Sequence, residues 1–291
     1  APDWSQGHLV SLPDDWGEDD TVASSGSVWY RVGFDAGSVA GTAALYALYV
    51  ERACSVLEVW LNGNLLHRGG SMREPVSRLC GVPQLVSMPA ALLLPRGNRL
   101  ELRVTGFPLE EVTSRQRAGG LSTMQLGPYD ALRGHLQRRL LFAIELPLAL
   151  SGTLLLLGGF MIVMGWFNRA QSYLAYFGAL MIASALSLAR LWLTELPWPN
   201  RMTELMLAAL LGFIALAAVQ FLMRYAGQRR RWLDRALPAQ CALVIVTLVA
   251  AGRGGLHAAA TTWSLLLWAE IAIAGAVHLR WLMRQQRPQR W

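Results

Sequence analysis

Lysine is absent from this chain: all 26 basic residues are arginine. Charge of any kind is scarce, 15% of residues against 54% hydrophobic, a balance that argues against an ordinary soluble domain. Enzyme signatures are missing as well. The three cysteines, Cys54, Cys80 and Cys241, form no C-x-x-C pair. The five histidines, His8, His67, His135, His257 and His278, keep no metal-ligand spacing, so no metal site and no cofactor are expected. Neither a G-x-S-x-G elbow nor a phosphate-cradling glycine loop occurs, and no catalytic residue is assigned. Acids run short after residue 140, five against 13 arginines, whereas residues 1–140 carry 14 acids and 13 arginines. The basic excess therefore belongs to the apolar half. There it reads as a topology signal beside membrane spans, and no nucleic-acid partner is expected.

What the sequence does contain is a long apolar run. Leu140 to Phe167 holds one charge, Glu145, near its start. About 20 residues at roughly 1.5 Å rise cross the hydrocarbon core of a bilayer. Four more spans follow, giving five at about 141–166, 172–193, 203–223, 237–252 and 258–279, the fourth being the shortest. Pro197 and Pro199 prevent the second and third from fusing. Ten arginines fall in loops on one side: Arg169, Arg224, Arg229, Arg230, Arg231, Arg235, Arg280, Arg284, Arg287 and Arg290. Five fall on the other: Arg133, Arg138, Arg139, Arg201 and Arg253. The richer side is expected in the cytoplasm. Residues 1–128 would then be periplasmic, 129–140 a short polar joint, 141–283 a multi-pass bundle in a bacterial inner membrane, and 284–291 a basic cytoplasmic tail. Ala1-Pro2-Asp3 is expected to be a mature end left by signal-peptide cleavage or simply the edge of the stretch in hand.

Residues 1–128 alternate with period 2 between turns. Val28 to Phe34, Val56 to Leu61 and Arg99 to Thr105 alternate, Ala44 to Val50 is a near-continuous apolar run, and Gln84 to Met88 and Leu121 to Leu126 are short strands. Asn62-Gly63 is a type I′ hairpin signal returning through Leu65-Leu66-His67. Seven or eight short strands with Gly and Pro turns predict an all-β sandwich of jelly-roll type, followed by an all-α transmembrane bundle.

Several short motifs occur in a recognisable order: Leu12-Pro-Asp-Asp-Trp16, Trp29-Tyr-Arg31 with Phe34, Val59-Trp-Leu-Asn-Gly63, Gly70 with Glu74-Pro75, Pro89 to Asn98, Gly119-Gly-Leu121 and Leu126-Gly-Pro128. The membrane half adds Tyr176-Phe-Gly178, Leu196-Pro197 and Arg230-Arg-Trp-Leu-Asp234. This series resembles the bacterial seven-transmembrane receptors with diverse intracellular signalling modules. Their extracellular domain is similar to the jelly-roll, galactose-binding-like domain of β-galactosidase-type hydrolases. The resemblance implies a sensor of an extracytoplasmic ligand, working as a homodimer and signalling to a cytoplasmic output module such as the histidine kinase of a two-component system, or a diguanylate cyclase. The chain departs from that pattern in having five spans rather than seven and no output domain after Trp291. The expectation is that it is a piece of a longer protein.

Outward positions of the alternating strands are Trp29, Arg31, Glu58, Trp60, Arg99, Glu101 and Arg103. If these strands are neighbours, they make a face of aromatics, guanidinium groups and carboxylates suited to a carbohydrate-like ligand or a small anion. A loop edge near Asn62 and Arg73 is the neighbouring candidate. The same pattern also describes an ordinary solvated face, or one docked on the helices. Cys54 and Cys80 either bridge or stay separate buried thiols. Within the spans, Glu270 is expected to be protonated or paired inside the bundle, with Ser184 and Ser187 at similar depth, and Arg190, Glu145 and Glu204 to form an outer Arg–carboxylate network. Helix-end placement is the plainer account of that outer set. Ala179, Ala183 and Ser187 offer small residues for close helix contact. The expected partners are the lipid bilayer and a small extracytoplasmic molecule. The alternative functions are a transport or channel component, or a carbohydrate-binding accessory membrane protein.

Overall fold

The computed structural model describes residues 2–17, 26–37 and 45–285. Most of the 284–291 tail, with Arg287 and Arg290, lies outside the described residues, as does Ala44 at the start of the expected apolar strand. Two units are present, residues 1–146 with 191–201, and residues 147–190 with 202–291.

The first unit is β-rich. Its strands are β1 (Asp14–Asp15), β2 (Ser27–Phe34), β3 (Tyr46–Val50), β4 (Ala53–Cys54), β5 (Val56–Leu61), β6 (Asn64–Arg68), β7 (Gln84–Met88), β8 (Asn98–Thr105), β9 (Gly120–Leu121) and β10 (Met124–Pro128). They form a four-stranded sheet β2-β8-β5-β6, a three-stranded sheet β10-β3-β7 and a small sheet β1-β9-β4, with every pairing antiparallel. Period-2 alternation sends Tyr30, Leu57, Val59, Leu61, Leu100, Leu102 and Val104 of the first sheet inward, where they join Leu48, Val50, Val86 and Met88 of the second in one apolar core. Asn62 and Gly63, at φ of 51° and 84°, make the two-residue hairpin between β5 and β6. The run expected as one strand over 121–126 divides into β9 and β10, which pair in different sheets.

Residues 129–140, expected as a polar joint, fold as helix α1 (Tyr129–Leu140). Tyr129, Leu132 and Leu136 fall on one helical face and pack on Ala47, Tyr49 and Leu85 of the three-stranded sheet. A π-helical turn, Leu141–Glu145, follows.

The second unit takes most of helices α2 (Leu146–Phe167), α3 (Tyr173–Trp192), α4 (Asn200–Tyr225), α5 (Leu233–Ala250) and α6 (Leu256–Gln285). Among the described residues, five helical stretches are long and apolar enough to cross a membrane. Their outward apolar side chains, among them Leu156, Trp166 and Phe167, would be costly in water and suit lipid. The fourth span reaches 18 residues because Pro238 sits inside α5 without ending it. Helices α2 and α3 touch through backbone: a Cβ on Gly178 would lie 2.5 Å from the Gly158 carbonyl oxygen, and one on Gly165 2.6 Å from the Ala175 nitrogen. At one end of the unit Asp234 accepts hydrogen bonds from Gln220, Arg224 and Arg229, while Arg224 also donates to Ser172 and stacks on Tyr176.

Candidate ligand-binding site

The outward face of the four-stranded sheet assembles the residues that alternation selects. Register places Trp29 opposite Arg103, Arg103 opposite Glu58, and Glu58 opposite Arg68. A second row runs Arg31, Glu101 and Trp60. Apart from Arg99, the charges on this face pair with one another. Arg31 donates to Glu101 at 2.7 Å and lies over the Trp4 ring at 3.8 Å. Arg68 and Arg103 both pair with Glu58, which is only 3% exposed. Arg103 also sits 5.8 Å from the Trp29 ring centre. Two donors on the face, Trp60 Nε1 and Arg103 Nε, are buried without a partner among the described residues. Such atoms are unusual in a folded protein.

Other residues of the expected site do different work. Asn62 is a turn clamp: its amide donates to Leu92 O and Asn98 Oδ1, and its Oδ1 accepts from the Arg99 N–H. Arg99 is exposed at the end of β8. Arg73 is exposed on the loop after β6, off the sheet face.

Beyond Trp29 and Arg103 the same face continues to Ser27 and Thr105, whose hydroxyls are 2.7 Å apart, and Arg103 reaches Ser27 Oγ at 3.5 Å. There it opens into a cleft of about 350 Å³. Met72, Val76, Phe107 and Pro108 supply apolar walls, and Glu74 and Glu111 supply carboxylates. A few polar groups converging in an apolar concavity are the usual composition of a small-molecule site.

The loop that forms one wall of this cleft, residues 69–83, is held at both ends. Gly69 N–H donates to Leu57 O, Leu79 N–H to Ser55 O, and Cys54 and Cys80 form a disulfide. Inside it, Ser71 N–H donates to Ser77 Oγ, and only glycine fits at Gly70, whose φ is +79° and whose Cβ would lie 2.5 Å from that oxygen. So fixed, the loop grips residues 194–200, which precede and begin α4. Arg78 N–H donates to Thr194 O at 2.8 Å, Ser77 Oγ to Glu195 Oε1 at 2.6 Å, and Arg78 Nη1 to Asn200 Oδ1 at 2.8 Å. The Asn200 N–H, first of α4 and without an acceptor inside the helix, donates to Glu74 Oε1 at 2.7 Å. Glu74 thus lines the cleft and caps a helix. Apart from Cys54 and Cys80, whose bridge was one of two expected outcomes, the expected site contained none of these residues. Their signal lay only in the motifs Glu74-Pro75 and Leu196-Pro197, which carry no periodicity.

Within the spans Glu270 is paired inside the helical unit, as expected, but with a different partner. Glu270 accepts from Gln240 Nε2 of α5 at 2.8 Å, not from Ser184 or Ser187. Arg190 and Glu145 are exposed and form no ion pair among the described residues. Arg190 closes the last turn of α3, where a cation complements the helix dipole and its long side chain can reach a polar boundary. Glu204 is fully buried. Cys241 is a buried free thiol packed beside Gly212.

No protein-family model matches the chain, and a search of curated proteins returns no match. Among solved structures it is similar to a glycosyl hydrolase family 2 member from Bacteroides cellulosilyticus, at 16% identity and TM-score 0.33, over 44% of this chain and 18% of that one. It is also similar to Bifidobacterium dentium β-glucuronidase complexed with coumarin-3-O-glucuronide, at 25% identity and TM-score 0.26, over 35% and 16%. The chain therefore spans less than a fifth of either protein, and both scores are too low to bear on its fold or function.

Proposed function

We propose that this protein is a transmembrane receptor of the bacterial inner membrane. Its β-rich unit is a periplasmic sandwich of the jelly-roll, galactose-binding-like kind that takes a small polyhydroxylated molecule in the cleft beside Ser27 and Thr105. Its helices relay occupancy to a cytoplasmic output module, a histidine kinase in the simplest case, within a homodimer. The motif series resembling seven-transmembrane receptors supports the class. The observation that carries the reading is the double duty of Glu74, which lines the cleft and accepts the first N–H of α4. A ligand that hydrogen-bonds Glu74 competes with that cap, so binding biases how α4 begins. Such a bias is a differential interaction with two states, which is what a ligand needs in order to shift an equilibrium. Carboxylates beside an aromatic ring are apt partners for sugar hydroxyls.

The test uses the full chain in nanodiscs, with thermal melting across a panel of sugars and organic acids and hydrogen exchange on any hit. A sugar is expected to raise the melting temperature, less so in Glu111→Gln, and to change exchange at residues 194–200. No shift across the panel, or a shift that leaves 194–200 unaltered, would sink the reading.

A further inference from the structure

A second cleft, of about 370 Å³, lies where α1 packs on the face of the three-stranded sheet. Its floor is Tyr49, Glu51 and Gln125, and its wall is one stripe of the helix, His135, Arg138 and Arg139. These three positions follow helical spacing, and Phe142, one turn further on, closes the lower rim. The neighbouring stripe of α1, Tyr129, Leu132 and Leu136, is packed on the sheet, so the cationic stripe is held in place rather than free to swing. Arg139 pairs with Glu51 at 2.8 Å, and Arg138 forms no ion pair among the described residues. Burial, and then the nearby Glu51 carboxylate, push the Tyr49 phenol up, so it keeps its proton and stays a hydrogen-bond donor.

The position along the chain decides what such a cleft would meet. Arg139 stands seven residues before Leu146, where α2 begins, roughly 10 Å along a helix. Leu141 and Phe142 between them are 46% and 64% exposed. A cleft with guanidinium groups above and bare apolar side chains below matches a lipid, with its phosphate above and its acyl chains below.

We propose that this cleft binds the phosphodiester head group of an anionic membrane phospholipid, with Arg138 and Arg139 on the phosphate and Phe142 against the acyl chains. Free phosphate shares the head-group chemistry but lacks the apolar part, so it should bind more weakly. Glu51 acts as an internal competitor, occupying Arg139 until a phosphate displaces it.

Native mass spectrometry of the detergent-purified full chain, titrated with phosphatidylglycerol or phosphatidylcholine, tests this. The wild type is expected to retain one more phosphatidylglycerol than the Arg138→Gln/Arg139→Gln double variant, with affinity falling about fivefold per arginine removed. Glu51→Gln, which frees Arg139 and leaves the stripe intact, is expected to retain that lipid more tightly than the wild type, and this arm stands even if the double variant folds poorly. Equal retention of both lipids by the wild type, or no gain in Glu51→Gln, overturns the proposal. Displacement of the lipid by equimolar inorganic phosphate overturns the lipid assignment in favour of a free-anion site.

Discussion

The Tyr30 hydroxyl accepts from Trp16 Nε1 at 3.1 Å and donates to Asp14 Oδ2 at 2.6 Å. Burial, and then the Asp14 hydrogen bond, push this phenol well above the usual tyrosine range, so it remains a donor at any working pH. Tyr30→Phe keeps the ring and strands the buried Trp16 N–H. It is expected to cost about 1–3 kcal/mol, read as a lowered melting temperature with unchanged secondary structure. His67 is a second informative residue. Its Nε2 donates to Gln84 Oε1 at 3.0 Å and so ties β6 to β7. Burial holds its pKa below the ordinary 6.5, more than the hydrogen bond raises it. The unfolded chain protonates this ring near pH 6.5 while the folded chain waits for a lower pH. The unfolded state therefore binds more protons in that interval, and stability falls as pH drops through it. His67→Gln should flatten the melting temperature of the full chain against pH just below 6.5. An unaltered slope would place the titrating group elsewhere.

At the scale of elements, close approach of helices depends on what is missing from them. Where α2 crosses α3, Gly158 and Gly178 bring backbone within reach of backbone. Gly178→Val would set a branched side chain against the Gly158 carbonyl and Ile162. It is expected to destabilise the helical unit by roughly 1–3 kcal/mol, seen as earlier thermal loss of helical ellipticity in detergent. Ala179→Val, one position away, is the comparison. Of the small-residue stripe read from the sequence, Ala179, Ala183 and Ser187, Ala183 is buried, and the backbone approach itself is made by Gly178 beside the stripe. The strands were more legible. Buried and exposed residues alternate along β8, and Asn62-Gly63 specifies its own turn, so both could be read from neighbours in sequence. Helix α1 was also within reach, since Tyr129, Leu132 and Leu136 keep helical spacing, but its charges disguised it as a joint. What no local pattern carries is the meeting of Glu74, Ser77 and Arg78 with residues 195–200, pairs separated by 118 to 126 positions. Polar loop residues have no period, so their partners are set only by the completed fold.

At the scale of the whole molecule, the chain passes between its two units at residues 146–147, 190–191 and 201–202, and the second and third of these crossings bracket the segment that the 69–83 loop grips. That loop owes its own position to a single covalent tie, Cys54–Cys80, 26 residues apart. Closing a loop of that length in the unfolded chain is worth about 3–4 kcal/mol in the chain-entropy account. The hydrogen bonds at Gly69 and Leu79 are backbone pairs that water can replace, whereas the disulfide is not. Reduction, or a Cys54→Ala/Cys80→Ala variant, is therefore expected to lower the melting temperature of the β-rich unit. It should also raise hydrogen exchange at 71–80 and at 194–200 together, while β5 and β8, fully laddered on both sides, stay protected. Intact protein should first gain 2 Da on reduction, a direct check that the bridge is present. If 71–80 loosens while 194–200 keeps its protection, residues 194–200 are anchored by the helices and not by the loop. Glu74 would then be a passive cap, and the route from the cleft to α4 would have to be sought elsewhere.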